Sequence, residues 1–568
     1  MSATHAMLGA LVALAVLCIS GRLAAAESGG DNDARAKRFI QGYEATIRPM
    51  EIEVARRWWD ANLSGKDADY QKKQEAETQL ELRLADPKAF AELKAIREGR
   101  ISDPLVARQI QVLYLQYLGR QVAPELLQQI VARSNAAEQA FNVYRPKVDG
   151  KELADSDVRR VLRRSKDLLQ RRAVWEASKE VGRKVEADLG ELVKLRNQAA
   201  RKLDFADYHV MQLALGEQDQ KQVLALFDEL DKLTGGPFHA AKAEIDAALA
   251  ARYGISVDQL RPWHYEDPFF QESPEIAKVD FDAVYAPVDI LKVCRQFYVG
   301  IGLPADDIIR RSDLYEKPGK NPHAFSTDID REGDVRVLAN IVPNHYWLST
   351  MLHELGHGVY SKYVPRSLPY ALRTDAHPLT TEGIAMMFEH VADHAAWLQA
   401  MGIAVPEPEK FDAAARAMRR NRLLIFSRWC QVMFRFEKEL YRNPEQDLNR
   451  LWWELVEKYQ ELRRPEGRNA PDYAAKIHVV AAPAYYHNYM MGEMFAAQVH
   501  HAIAREVLGG SDPFKAVYVG NKAVGEFLKE RVFGPGRGMT WNDLTRHATG
   551  EPLGAKALAE DLSSYARK

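Results

Sequence analysis

Cysteine is nearly absent: there are three in 568 residues, and only Cys294 and Cys430 lie beyond residue 26. So few thiols exclude a disulfide framework. Both sit in apolar, helix-patterned stretches, Ile290 to Tyr298 and Leu423 to Phe434, which predicts buried free thiols. An excess of charge is also missing, since 77 Lys and Arg face 79 Asp and Glu. The formal net charge of −2 speaks against a nucleic-acid or polyanion partner. Long hydrophobic runs are lacking too, apart from Met7 to Ile19, which is too short to span a bilayer comfortably. That run is followed by Gly21-Arg22 and Ala24-Ala25-Ala26, a small-residue site. The pattern predicts a signal peptide at residues 1–26, cleavage before Glu27, and an exported protein with no membrane attachment afterwards. Leu17 precedes Cys18 where a lipoprotein site wants a small residue, which argues against lipidation.

What is present is mostly helical pattern. From Asp33 to about Leu249, apolar clusters recur at three- and four-residue spacing among dense Lys, Arg and Glu, without strict heptads. The first irregular stretch, Arg261 to Gln271, is aromatic-rich and bounded by Pro262 and Pro268, so it either lines a cleft or plugs the core between helices. His323 to Ile329 and Asp334 to Ala339 then flank Asp330-Arg331-Glu332-Gly333, a hairpin signal. An exposed strand edge is a place where an extended peptide can be gripped through main-chain hydrogen bonds.

Just beyond the hairpin comes Thr350-Met351-Leu352-His353-Glu354-Leu355-Gly356-His357-Gly358, an H-E-x-x-H pattern in a helical context. Residues four apart share a helix face, so His353 and His357 can present ring nitrogens to one metal ion. Glu354 stands beside that ion, where a carboxylate can act as general base. A second helix is expected from Thr380 as N-cap, and it carries Glu382, 25 residues after His357. Two His and one Glu leave the fourth position of a zinc ion open, as a catalytic site requires. Glu389 and His390 on the same segment are rival ligands or solvated supports. Towards the C-terminus, Lys476-Ile477-His478 precedes Pro483-Ala484-Tyr485-Tyr486-His487-Asn488-Tyr489, with Tyr486 and Tyr489 three apart on one face. Taken singly, such residues are more often core or surface than catalytic.

Taken together, the chain resembles the angiotensin-converting-enzyme family of zinc peptidases (peptidyl-dipeptidase A), as a divergent member. The resemblance rests on His353-Glu354-Leu355-Gly356-His357, Thr381-Glu382-Gly383-Ile384-Ala385, Pro322-His323-Ala324-Phe325-Ser326, and Lys476-Ile477-His478 with Tyr486 and Tyr489. It implies an all-α fold, a two-lobed helical ellipsoid around a deep central channel with one small β-hairpin near the metal, and residues 27–568 as a single catalytic domain. It further implies one zinc ion on His353, His357 and Glu382, with Glu354 as base and then acid. His478 and Tyr489 would stabilise the oxyanion. Lys476 and Tyr486 would hold the substrate's free C-terminal carboxylate, and Ala324 and His323 would contact the peptide beside the metal.

The pattern is also broken in places. Asn488 and Val456 stand where the family has chloride-binding arginines, so the resemblance does not extend to chloride activation. The glutamine that anchors the substrate carboxylate falls near Tyr265 in a poorly matching segment, and Tyr485 rivals Tyr486 as the anchoring tyrosine. Met386 replaces an aspartate that supports a zinc histidine, with Glu389 available one turn further on. The expected activity is zinc-dependent hydrolysis of short peptides with release of C-terminal dipeptides. Alternatives are a thimet-type oligopeptidase, a single-residue carboxypeptidase, or a catalytically silent peptide-binding protein.

Overall fold

The structure is a computed structural model describing residues 4–275 and 281–564, with side chains from Asp31 onward. The leader assigned to residues 1–26 lies outside the residues whose side chains are described. Among the described residues, helices dominate and the only sheets are two antiparallel pairs of strands. The expected hairpin is there as β3 (Phe325–Asp328) and β4 (Val335–Leu338). A second, β1 (Lys147–Val148) with β2 (Lys151–Glu152), was not expected; strands of two residues are too short to display a period of two. No helix among the described residues is long and apolar enough to cross a membrane. Cys294 and Cys430 are buried and free.

The hairpin holds its register through its turn. Asp328 Oδ1 accepts from the backbone N–H groups of Asp330 and Arg331, and Asp330 Oδ1 accepts from those of Glu332 and Asp334. Phe325 pairs with Leu338 and Asp328 with Val335. A parallel bridge from Asp313 to Leu338 covers the far side of β4, so β3 is the free edge among the described residues. The long N-terminal helix, Thr4–Ser64, lies over the hairpin: the rings of Trp58 and Phe325 stand 4.3 Å apart, and Trp59 packs with Ile329 and Leu338.

The motif helix, His345–Tyr363, starts at Asn344, whose side chain accepts from the N–H of Trp347. Met351, Leu352, Leu355, Val359 and Tyr360 are fully buried, each worth roughly 1.5–3 kcal/mol of burial for its class of side chain. This anchors one face and leaves the two histidines on the other, half-buried. Tyr298 donates to the carbonyl of Leu352 at 2.6 Å and further fixes the helix. The next helix, Pro378–Glu389, begins three residues earlier than expected: His377 is the cap, its Nδ1 accepting from Leu379, and Pro378 takes the first helical position. Thr380 lies within the first turn instead.

The irregular aromatic stretch divides its work. Trp263 and Tyr265 are buried in the core, with Trp263 packed edge-on against Trp175. Asp267, Phe269 and Gln271 border a cavity.

Candidate metal centre and peptide cleft

Three helices meet closely because glycines face their neighbours. A Cβ on Gly356 would stand 2.8 Å from Cα of Ala385, and one on Gly383 would stand 2.7 Å from the carbonyl oxygen of Gly492 in the His487–Glu506 helix. Only hydrogen fits at either contact, and the approach carries Glu382 up to the two histidines. His353 Nε2 and His357 Nε2 are 3.2 Å apart, and Glu382 Oε2 lies 3.7 and 3.9 Å from them. Tetrahedral zinc–nitrogen geometry asks for ligand atoms about 3.3–3.5 Å apart. These three residues form the one group able to hold a metal ion among the described residues.

The outer ring nitrogens are fixed as well. His353 Nδ1–H donates to Glu389 Oε2 at 3.0 Å, and His357 Nδ1–H donates to the Thr381 hydroxyl at 2.7 Å. Each bond places the proton on Nδ1 and leaves the Nε2 lone pair for a metal. Arg422 reaches the other oxygen of Glu389 at 3.4 Å. Glu389 therefore supports a ligand, while His390 is turned to Glu493 at 2.9 Å. Burial opposes protonation of His353, but the hydrogen bond and charge of Glu389, together with the charges of Glu354 and Glu382, outweigh it and hold the group up at about 9. Burial, then the charge on His353, holds His357 down at about 3.

Glu354 is buried beside the trio. Burial pushes its carboxyl up to about 7, with Glu382 and Glu389 adding to the effect and His353 opposing it. The backbone N–H of Ser326 in β3 is near enough to lower it, as the smallest of these influences.

Elsewhere, Lys476 Nζ donates to Gln271 Oε1 at 2.6 Å, and the Tyr486 hydroxyl approaches the same oxygen at 3.4 Å. Gln271, six residues beyond Tyr265, is the amide beside Lys476. Tyr265 is instead bonded to Asp246 and Lys242 in the core. Burial lowers Lys476 to about 8. Tyr486 stacks edge-on with His478 at 4.9 Å and with Tyr489 at 5.4 Å. Nδ1 of His478 is buried with no hydrogen-bond partner among the described residues, and burial holds that imidazole down at about 4. Tyr485 has Glu382 as its first charged neighbour, whereas it is Tyr486 that reaches Gln271. His323 is exposed, and Ala324 stands one residue before β3 instead of inside it. Asn488 accepts from Gln218 at 2.8 Å, a neutral partnership where the family has an arginine.

Sequence reasoning gave no role to Thr381, Arg422 or Gln271. Thr381 was within reach, since it adjoins Glu382 and faces back towards His357. Gln271 had no local signal.

A helical protein with an H-E-x-x-H pair and a carboxylate from the following helix has the metal centre of a metallopeptidase. A family model described as "Angiotensin-converting enzyme" matches residues 30–255 and 267–565. The chain belongs to that family. Among its relatives, the angiotensin-converting enzyme of Sus scrofa is 22% identical over 562 residues, covering 92% of this chain and 42% of the relative. That of Mus musculus is 23% identical over 441 residues, covering 72% and 33%. The protein of the same name from Theromyzon tessulatum is 21% identical over 313 residues, covering 52% and 50%. The chain thus spans a third to a half of the length of these relatives.

Proposed function

We propose that this chain is an exported zinc metallopeptidase that hydrolyses short peptides and releases dipeptides from a free C-terminus, with residues 27–568 acting as one catalytic domain after loss of residues 1–26. The observation that carries the reading is the convergence of Lys476 and Tyr486 on the side-chain oxygen of Gln271, in a protein that also brings His353, His357 and Glu382 together.

His353, His357 and Glu382 hold the zinc. When bound, zinc supplies a Lewis acid and lowers the pKa of water towards neutrality. Glu354, buried beside the trio, takes the proton of the attacking water and returns it to the leaving amine. The hydroxyl of Tyr489 and the unpartnered ring nitrogen of His478 stabilise the oxyanion that forms on the scissile carbonyl. Lys476 and Tyr486 donate to the terminal carboxylate of the substrate. Gln271 joins them by rotating its amide to offer Nε2–H. The peptide runs along β3 at Ala324, with His323 beside it.

Mass spectrometry of one short peptide, offered with a free and with an amidated C-terminus, tests this reading. Successive loss of dipeptides from the free form alone is expected; equal internal cleavage of both forms would transfer the chain to the oligopeptidase class.

A further inference from the structure

The His487–Glu506 helix begins between the two tyrosines of the cleft, and one side chain from a distant turn holds its first two residues. Gln218 Oε1 accepts from His487 Nε2–H at 2.8 Å, and Gln218 Nε2–H donates to Asn488 Oδ1 at 2.8 Å. All three residues are buried, Gln218 at 5% exposure, His487 at 1% and Asn488 at 6%. Both ends of a single amide are thereby spent on the pair that separates Tyr486 from Tyr489.

That amide stands on a fixed turn. Glu217, just before it, has φ 57°, a left-handed backbone that a residue with a side chain seldom takes. Its surroundings hold it there. Arg108 pairs with its carboxylate through two nitrogens, Trp541 Nε1–H donates to its carbonyl at 3.0 Å, and the N–H of Gln218 returns to the carbonyl of Leu213 at 2.8 Å. Strain of this kind persists only where the structure around it over-determines it, and here the outcome is the placement of Gln218. On its other side His487 packs on Phe434, with ring centroids 5.1 Å apart. His487, Asn488 and Tyr489 share the first turn of one helix, so a rotation of the pair turns Tyr489 with it.

We propose that Gln218 is a positioning residue for the reaction: by clamping His487 and Asn488 it aims the Tyr489 hydroxyl at the oxyanion. It acts through those two residues and not on the substrate or the metal. A donor stabilises an oxyanion over about 2.7–3.1 Å, so a small swing of the helix start forfeits most of what the hydroxyl supplies. The inference rests on the reading of Tyr489 as an oxyanion donor.

The test uses the zinc-loaded full chain and one short peptide with a free C-terminus. Gln218→Met keeps the length of the side chain and loses both hydrogen bonds; kcat should fall about 10- to 100-fold, with zinc content equal to the parent's. Gln218→Glu should restore most of the turnover, because a carboxylate accepts from His487 and, once the Asn488 amide turns over, from Asn488 Nδ2–H. A double-mutant cycle with Tyr489→Phe separates aiming from general loosening: Gln218→Met should cost little further in kcat once that hydroxyl is gone. Asn488→Leu, which loses one of the two bonds, repeats the cycle should Gln218→Met fail to fold. Losses that multiply in the cycle, or parent turnover by Gln218→Met, overturn the inference. Parent turnover by Tyr489→Phe alone instead removes the oxyanion reading itself, and that failure is distinct.

Discussion

Replacing Gly356 by alanine adds a single methyl group to the H-E-L-G-H segment and should disable the metal site without touching a ligand. The new Cβ would lie 2.8 Å from Cα of Ala385, a backbone atom, and 3.3 Å from the ring of Phe388. Carbon atoms are comfortable at about 3.5–4.0 Å, so the two helices must part by about 0.7–1.2 Å. Ala385 lies three residues after Glu382 in the same helix, and the carboxylate moves with it. Metal–ligand distances tolerate only about 0.2 Å. The strain should cost about 1–3 kcal/mol of stability, in the range of overpacked cores, and zinc should bind at least about tenfold more weakly. The assay is chelator competition for zinc, paired with chemical denaturation of the zinc-free protein. Gly358→Ala is the control: on the same helix, its Cβ meets side-chain atoms alone, the methyl groups of Ile308 at 3.2 and 3.5 Å and the Ser326 hydroxyl at 3.6 Å, and no backbone. If Gly356→Ala binds zinc as tightly as the parent and Gly358→Ala does the same, helix proximity does not place Glu382 and the packing argument fails.

Other outcomes follow from the same geometry. Glu354→Gln should keep one zinc per chain by elemental analysis and lose at least about 100-fold in kcat; unchanged turnover would remove the general base. Glu389→Ala frees His353 Nδ1 and leaves Arg422 without its carboxylate, so zinc affinity should drop about 10- to 100-fold, with Glu389→Gln intermediate because an amide oxygen still accepts. Lys476→Met should raise KM for peptides with a free C-terminus while leaving amidated peptides unaffected, and an equal effect on both would discount the anchor. Glu437 is fully buried, accepts from the N–H of Ala484 in the tyrosine loop at 2.9 Å, and is pushed by burial up to about 8. A raised carboxyl contributes stability that is complete below its unfolded value of about 4.5 and lost as pH rises through 8. Denaturation midpoints should therefore fall from pH 5 to pH 8 more in the parent than in Glu437→Gln; parallel curves would show that Glu437 does not titrate in this way.

The legible parts of this molecule are those where spacing along a regular element decides proximity. His353 and His357 follow from helical repetition, and Glu382 follows from a turn long enough to return a second helix. The free thiols at Cys294 and Cys430 and the β3–β4 hairpin were readable for similar reasons, from apolar context and from a turn rich in Asp and Gly. Gln271 was not, because an irregular loop has no period: its position depends on the Asp267 carboxylate gathering two amides, a contact within five residues that no alternation announces. The start of the Pro378–Glu389 helix was misjudged because a neutral, buried His377 does the capping usually done by a hydroxyl or carboxylate.

The free edge of β3 carries a fixed frame. Val337 gives its N–H to Ser312 and its carbonyl to Asp313, so its opposite number Ser326 turns its own backbone groups away from β4 and towards the open side. Backbone groups alternate along a strand, and a chain laid on this edge could find rungs at every second residue only. The edge thus acts as a ruler: a slip of one residue would turn every side chain of the guest to the other face.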